Sequence, residues 1–206
     1  VDMAGLGVDV LISAPQKGWS SSPSSGLVML SPAALERLGE TTSTSFACDL
    51  GKWHAIMQAY LNGGHAYHAT MPTDALRVFR DRVLETKAFG YAASRAAQAE
   101  MGARVRAMLA ERGVRSVAAP GFEAPSVVVS YTDEPDIQNG ARFAAQGMQI
   151  AAGVPLKCDE PEDFRTFRIG LFGLDKLRDV EGTVADLEKT LDVVLRRGWN
   201  AGAAQG

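Results

Sequence analysis

Apolar and polar positions form short blocks at the start of the chain. An apolar, β-branched run over residues 8–13 predicts a buried strand. A Ser- and Pro-rich loop follows, and a second apolar run at 26–30 predicts another short strand. Ser31 followed by Pro32 is typical of an N-cap and the first helical position, and Gly39 is a typical helix end. The pattern therefore predicts a strand, a polar loop, a second strand and a short helix.

Helical spacing replaces this pattern in the middle of the chain. Residues 46–70 mix aromatic side chains with all three histidines and show no clear period. Apolar positions then recur every three or four residues over 73–89 and again from residue 92, with Gly90 between the two runs. The second run stops at Gly113, a typical residue just after a helix. We therefore expect two helices, or one kinked helix, that link two domains.

The rest of the chain alternates between strand-like and helix-like segments. Strands are expected at 116–119, 126–131, 148–151 and 166–171, and helices at 137–146 and 180–196. This order predicts a compact α+β domain. The Gly/Ala-rich end at 200–206 is expected to be a flexible tail.

Composition narrows the class of protein. The chain has 206 residues, 46% of them hydrophobic, and a formal net charge of −3, which argues against a nucleic-acid or anionic membrane partner. No apolar run approaches the roughly 20 residues that span a bilayer. Cys48 and Cys158 are far apart and do not form a disulfide framework, so we expect reduced thiols and a cytoplasmic location.

Lys17 is the first residue of chemical interest. It lies just after the first predicted strand, in a loop of small residues that leads to the second strand. A lysine amine attacks an aldehyde carbon only in its neutral form, which burial in a pocket favours. This placement is compatible with a lysine that carries an aldehyde cofactor. Position alone leaves open the plainer alternative of a surface lysine in a loop.

The segment from Ser13 to Lys17 resembles the Ser-x-x-Gln-Lys signature of the class V aminotransferases, in the alanine–glyoxylate and serine–pyruvate branch. Cysteine desulfurases of the same superfamily usually have histidine at the position of Gln16, so Gln16 favours the transaminase branch. Pro23-Ser-Ser-Gly26 departs from the family's Pro-Pro-Gly and indicates an altered loop. The resemblance implies that Lys17 carries pyridoxal 5′-phosphate (PLP) and is catalytic, with Gln16 also at the cofactor.

A second stretch, Tyr67-His-Ala-Thr70-Met-Pro72, resembles the family's Tyr-His-x-Thr-x-Pro motif. The resemblance implies that Tyr67 and Thr70 reach across a dimer interface to the cofactor phosphate of the partner subunit, and hydroxyl groups are suitable donors to phosphate oxygens. Without the resemblance, the segment is typical of a turn that caps a helix. His65 and His68 are expected to be a surface pair, because no third ligand at suitable spacing accompanies them, so no metal site is predicted.

The third motif, Arg168-Ile-Gly-Leu-Phe-Gly173, resembles the family's Arg-Ile-Gly-x-x-Gly strand. The resemblance implies that Arg168 binds the α-carboxylate of the substrate. A guanidinium group matches a carboxylate with a planar fork and stays charged when it is partly buried. The alternative is an arginine on an edge strand that faces solvent, which the apolar neighbours and two nearby glycines disfavour.

The three motifs occur in the family's order and spacing over most of the chain. They imply an α/β fold that is the C-terminal portion of a fold-type-I PLP transferase. Residues 1–90 would be the end of the large PLP-binding domain, and residues 91–199 the smaller α+β C-terminal domain. The loop that holds the cofactor phosphate and the aspartate that pairs with its pyridine nitrogen are then expected upstream of Val1.

The implied function of the intact protein is PLP-dependent transamination, from a small amino acid such as alanine or serine to a 2-oxo acid or glyoxylate. We expect a homodimer with cross-subunit phosphate contacts, and little activity from this chain alone. Two alternatives stay open. One is a PLP-dependent lyase or cysteine desulfurase in which Cys158 supplies a mobile nucleophile, although Gln16 argues against it. The other is a non-catalytic fragment that serves folding or dimerisation.

Overall fold

Short strands and longer helices follow one another along the chain. The structure is a computed structural model that describes residues 1–196. The strands are β1 (Val10–Ser13), β2 (Leu27–Leu30), β3 (Val127–Tyr131), β4 (Ala151–Ala152) and β5 (Thr166–Gly170). The helices are α1 (Pro32–Gly39), α2 (Leu50–Leu61), α3 (Thr73–Phe89), α4 (Tyr91–Glu111), α5 (Pro135–Gln138), α6 (Ala141–Ala144), α7 (Leu174–Arg178) and α8 (Val180–Val194).

The chain divides into two units, Val1–Arg82 and Val83–Gly206. Unit 1 contains the elements from β1 to the first part of α3, and unit 2 contains the rest. The predicted domains at 1–90 and 91–199 stay a prediction, and the predicted tail at 200–206 lies outside the described residues. No helix in residues 1–196 has both the length and the apolar character needed to cross a bilayer.

Unit 1 opens with the expected hairpin. β1 pairs antiparallel with β2, with Val10 opposite Leu30 and Ser13 opposite Leu27. The expectation that β1 is buried is wrong within this chain, because Val10 and Ile12 are 48% and 72% exposed. Among the described residues, the two strands form a separate two-stranded sheet. A sheet of this size does not bury its own side chains.

Ser31 connects this hairpin to α1. Its Oγ accepts a hydrogen bond from the Ala34 N–H (3.1 Å), so it is the predicted N-cap. The same Oγ donates to the Asp9 carboxylate (2.6 Å), and the Ser31 N–H donates to the Asp9 carbonyl (2.9 Å). Ser31 therefore closes the open end of the hairpin and starts the helix, which ends at Gly39 as predicted.

Helix α2 is absent from the sequence-based prediction for residues 46–70. Asp49 caps it by accepting a hydrogen bond from the Lys52 N–H at 2.9 Å. The helix buries no residue. Helices α1 and α3 bury no residue either.

Unit 2 is built on a three-stranded antiparallel sheet with β5 in the centre, flanked by β3 and β4. One face of the sheet packs with α4 and α8. The buried core includes Met101, Val105, Leu109, Val128, Phe143, Phe167, Ile169, Val184, Leu187, Leu191 and Val194. The predicted strand at 166–171 and the predicted closing helix are confirmed as β5 and α8. The predicted stop of α4 is confirmed as well, since the N–H of Gly113 donates to the carbonyl of Ala110.

Three expectations for unit 2 need correction. The strand expected at 116–119 is a single bridge between Ser116 and Ser130. The helix expected at 137–146 is two short helices, because Gly140 adopts φ 81° between α5 and α6 and ends the first of them. The strand expected at 148–151 is reduced to the two residues of β4, and α7 was not predicted.

Candidate functional site

Lys17 lies in the tight turn that joins β1 to the loop before β2. The turn is held by its own backbone: the Pro15 carbonyl accepts from the Ser21 N–H (3.0 Å) and the Lys17 carbonyl from the Ser20 N–H (2.9 Å). Ser20 takes a left-handed conformation with φ 52° to close it. Pro15 is buried, whereas Lys17 and Gln16 are exposed. The fold thus presents the lysine amine on a compact, internally bonded turn.

An aromatic contact fixes this turn to α3. The rings of Trp19 and Phe79 meet edge to face, with their centroids 5.9 Å apart. On the way to β2, the hydroxyl oxygens of Ser21, Ser24 and Ser25 are buried and make no hydrogen bond within the described residues. Buried hydroxyl groups without partners are uncommon, and each one costs about 1–3 kcal/mol. The Lys17 loop therefore carries a set of donors that lack acceptors.

Tyr67 and Thr70 lie next to each other in the structure. Their hydroxyl oxygens are 3.2 Å apart, and both side chains are exposed, Tyr67 to 77%. His68 lies between them in sequence and has different partners. Its ring contacts Phe46 and Trp53, with centroid distances of 4.2 Å and 5.1 Å.

His68 anchors this segment. Its Nε2 lies 2.9 Å from the Phe46 carbonyl, which fits a ring that donates from Nε2. The ring is half-buried in the aromatic cluster, so His68 has a packing role instead of the expected place on the surface beside His65. No group of three or more His, Cys, Asp or Glu side chains in residues 1–196 is arranged to hold a metal ion.

Arg168 lies on the central strand of unit 2. The edge-strand alternative is therefore wrong, since Arg168 has Val129 opposite it on β3 and Ala151 opposite it on β4. Its neighbours in sequence, Phe167 and Ile169, are buried in the core, so the half-buried Arg168 side chain leaves from the other face of the sheet.

The guanidinium group of Arg168 is held at one nitrogen. Its Nε donates to the Ala152 carbonyl at 2.8 Å. Within residues 1–196, Nη1 and Nη2 make no hydrogen bond or ion pair. Because a guanidinium group has donors on all three nitrogens, the outer fork of Arg168 remains available for a planar anion such as a carboxylate.

Backbone hydrogen bonds to one carboxylate connect residues within the acidic loop between β4 and β5. Both oxygens of the Glu160 carboxylate accept backbone hydrogen bonds, from the N–H groups of Lys157 and Cys158, each at 2.8 Å. These two bonds lower the pKa of Glu160 to about 2. Lys157 and Asp159 adopt φ values of 58° and 63°, and Cys158 has a free, exposed thiol.

The predicted site residues fall into two groups. Lys17, Gln16, Tyr67 and Thr70 belong to unit 1, and Arg168 belongs to unit 2. Each unit places its own residues on an accessible surface. Two features of these surfaces were absent from the sequence-based prediction, namely the unpartnered serine hydroxyls and the carbonyl that holds Arg168. The run of serines after Lys17 is a signal for the first, whereas a backbone carbonyl leaves no trace in the sequence.

Several solved structures with a similar fold are aminotransferases. An alanine–glyoxylate aminotransferase from Nostoc sp. matches 95% of this chain and 50% of its own, with a TM-score of 0.77 and 19% identity. A pyridoxamine–pyruvate aminotransferase from Mesorhizobium loti matches 99% of this chain and 52% of its own, with a TM-score of 0.74 and 16% identity. This chain has the fold of about half an aminotransferase. The predicted fold class, a portion of a fold-type-I transferase, is therefore confirmed.

A third aminotransferase fold agrees with these two. An aspartate aminotransferase of subgroup IV from Thermus thermophilus matches 93% of this chain and 51% of its own, with a TM-score of 0.69 and 25% identity. The chain thus spans about half the length of the solved structures that it matches, which is consistent with a C-terminal part of the aminotransferase fold. No protein-family model and no curated protein sequence matches the chain.

Proposed function

We propose that this chain is the C-terminal part of a class V, PLP-dependent aminotransferase. The proposed reaction moves an amino group from a small amino acid, such as alanine or serine, to a 2-oxo acid or glyoxylate. The observation that carries the proposal is the fold, which matches an aminotransferase over 95% of the chain. The sequence motifs add a lysine, a hydroxyl pair and an arginine, each on an accessible surface of its unit.

The donor set fits PLP. Lys17 offers an exposed primary amine for the cofactor aldehyde, on a turn whose backbone is internally bonded. Tyr67 and Thr70 offer two adjacent hydroxyl groups for a phosphate, and the Gln16 amide lies next to Lys17. The buried, unpartnered hydroxyls of the Lys17 loop add polar groups that a bound ligand could satisfy. When bound, PLP supplies an electron sink for the negative charge that develops on the substrate Cα.

The residues of this chain would divide the remaining work. Lys17 would use Nζ as the general base that takes the proton from the substrate Cα and then donates it to the former aldehyde carbon of the cofactor. Arg168 would bind the α-carboxylate with Nη1 and Nη2, which fixes the orientation of the Cα–H bond. This arginine serves the amino acid and the oxo acid equally, because both carry the same carboxylate.

The proposal includes a homodimer in the cytoplasm. The Tyr67 and Thr70 hydroxyls are exposed, which suits a contact with the cofactor phosphate of a partner subunit. Cys48 and Cys158 are both free and exposed, which suits a reducing compartment.

Borohydride trapping tests the lysine assignment. The full-length gene product is mixed with PLP, its visible spectrum is recorded, and the reduced adduct is located by peptide mapping. We expect the label on Lys17, loss of the visible band in Lys17→Arg, and an unchanged band in Lys52→Arg, an exposed lysine on α2 of the same unit. The same measurement on this chain alone reports whether it binds PLP without other sequence. Labelling of the full-length protein elsewhere than Lys17 would reject the proposal.

A PLP-dependent lyase or desulfurase is the second candidate, because the exposed Cys158 thiol lies on the loop that leads into the Arg168 strand. The test compares sulfide release from L-cysteine with keto-acid production from L-alanine. A lyase predicts that Cys158→Ser abolishes sulfide release and that Cys48→Ser, the other exposed thiol, does not. A transaminase predicts keto acid from alanine that is independent of both cysteines.

A further inference from the structure

The Arg168 guanidinium depends on a short strand for its orientation. Nε donates to the Ala152 carbonyl, and Ala152 is the second and last residue of β4. Two residue pairs join β4 to the central strand, Ala151 with Arg168 and Ala152 with Phe167. A strand of this length has few backbone hydrogen bonds to fix it, so its position depends on how closely the next residue can approach β5.

That next residue is Gly153, and it lies so close to β5 that there is no room for a side chain. A Cβ built on Gly153 would overlap the carbonyl oxygen and Oγ1 of Thr166, and would lie 2.5 Å from the Thr166 carbonyl carbon. Most of this contact is with backbone, which cannot rotate away. The φ angle of Gly153 is outside the left-handed region, so the close approach alone requires glycine here.

We propose that Gly153 is a positioning residue for Arg168. By allowing β4 to lie against Thr166, it keeps the Ala152 carbonyl on Nε, so that Arg168 presents only Nη1 and Nη2 to a ligand. A carboxylate can bind a guanidinium end-on through the two Nη atoms, or side-on through Nε and one Nη. Because Nε is engaged, the substrate carboxylate binds end-on. This inference rests on the proposed function, in which Arg168 binds that carboxylate.

Gly153→Ala in the full-length gene product tests the proposal. The added methyl group must move the end of β4 away from β5. This breaks the hydrogen bond from the Arg168 Nε to the Ala152 carbonyl, and the guanidinium group can then rotate. The readouts are the kcat/KM for L-alanine and the reaction of the PLP-loaded protein with ethylamine, which is alanine without its carboxylate. We expect kcat/KM for L-alanine to fall on the order of 10- to 100-fold, as small misplacements of a binding group do. The reaction with ethylamine should not change.

Gly39→Ala is the matched control, because a Cβ at Gly39 meets nothing within 4 Å. It should leave both reactions unchanged. Equal losses for L-alanine and ethylamine in Gly153→Ala would mean a general structural effect, and an unchanged kcat/KM for L-alanine would mean that Gly153 does not position Arg168. Either result overturns the proposal.

Arg168→Lys separates this inference from the proposed function. If Arg168 binds the carboxylate, this variant also loses activity with L-alanine and keeps its reaction with ethylamine. If it keeps full activity with L-alanine, the proposed role of Arg168 fails, whatever Gly153→Ala does.

A second measurement needs no variant to fold. In the full-length protein labelled with ¹⁵N-arginine, the Nε–H of Arg168 should exchange with solvent more slowly than that of Arg77, whose side chain is 68% exposed. Equal exchange rates would show that the Ala152 carbonyl does not hold Nε, and would overturn the proposal.

Discussion

The two units differ in what holds them together. Unit 2 has a continuous core in which residues such as Val105, Phe143 and Leu191 are fully buried. In unit 1, Pro15 is the only buried residue among those described, and apolar side chains such as Leu61 are as much as 71% exposed. The elements of unit 1 are nevertheless well defined by caps, turns and strand pairing. Local signals are therefore enough to specify helices and strands, whereas among the described residues a continuous buried core stabilises unit 2 and not unit 1.

The largest expected effect comes from making the same leucine-to-alanine substitution at a buried position of unit 2 and at an exposed position of unit 1. Leu191→Ala removes a leucine that is 0% exposed, so unit 2 should lose about 2–5 kcal/mol of unfolding free energy. Leu61→Ala, at a position that is 71% exposed, should change the stability of unit 1 by less than about 0.5 kcal/mol. Amide hydrogen exchange read by mass spectrometry measures both, because it resolves peptides from each unit. Similar losses at the two sites would mean that the contrast in burial does not govern stability.

Ion pairs test the same difference in burial between the two units, with a smaller expected change in stability. Arg142 in unit 2 has a side chain only 7% exposed and binds Glu134 (2.6 Å) and Asp136 (2.7 Å). Arg80 in unit 1 is 66% exposed and binds Asp81 at 2.7 Å. Arg142→Met should cost about 1–3 kcal/mol, because it leaves partly buried acceptors without their donor.

The matched variant Arg80→Met should cost less than about 0.5 kcal/mol, since an exposed pair gains little from its charges. Both values come from hydrogen exchange of peptides in the respective unit. A loss at Arg80 as large as the loss at Arg142 would contradict the distinction between the two pairs.

The smallest effect is local and depends on pH. The Glu160 pKa is lowered to about 2 by the two backbone N–H groups, so the ionised side chain favours the folded loop. This contribution is complete above the ordinary glutamate pKa and is lost only as the pH falls toward the lowered value. The side-chain carboxyl NMR shift of Glu160 should therefore stay flat between about pH 5 and pH 3. A midpoint near 4.3, the ordinary value, would disprove the cap. Glu160→Gln should lower the protection of the Lys157 and Cys158 amides, because glutamine keeps only one of the two acceptor oxygens.

The parts of the fold with local rules were predictable. Ser31 with Pro32 gave the start of α1, Gly113 gave the end of α4, and the face of Leu187 and Leu191 gave α8. The failures have local causes as well. Helix α2 lies in a segment whose mixture of aromatic and polar residues was judged to have no clear period, and the helix predicted at 137–146 breaks at Gly140.

The side chains of the candidate site come from sequence motifs and stay a prediction, whereas their backbone supports come from the structure. The motifs gave Lys17, Tyr67 with Thr70, and Arg168, and the structure describes an accessible turn, a hydroxyl pair and a held guanidinium at those positions. The Ala152 carbonyl and the close approach of Gly153 depend on the register of β4 on β5, which follows from tertiary packing. Every residue has a backbone carbonyl, so a sequence pattern does not indicate which one binds Arg168. This support could be found only in the structure.

The bonds of Ser31 have a consequence for how the start of the chain folds. One side chain joins the hairpin to α1 by bonding both Asp9 and Ala34, so neither element can fray at that junction without releasing the other. The segment from Asp9 to Gly39 should therefore open as a single cooperative step. Its contacts are short in sequence, which favours rapid formation, and a newly made chain could assemble this hairpin and helix before the core of unit 2 exists.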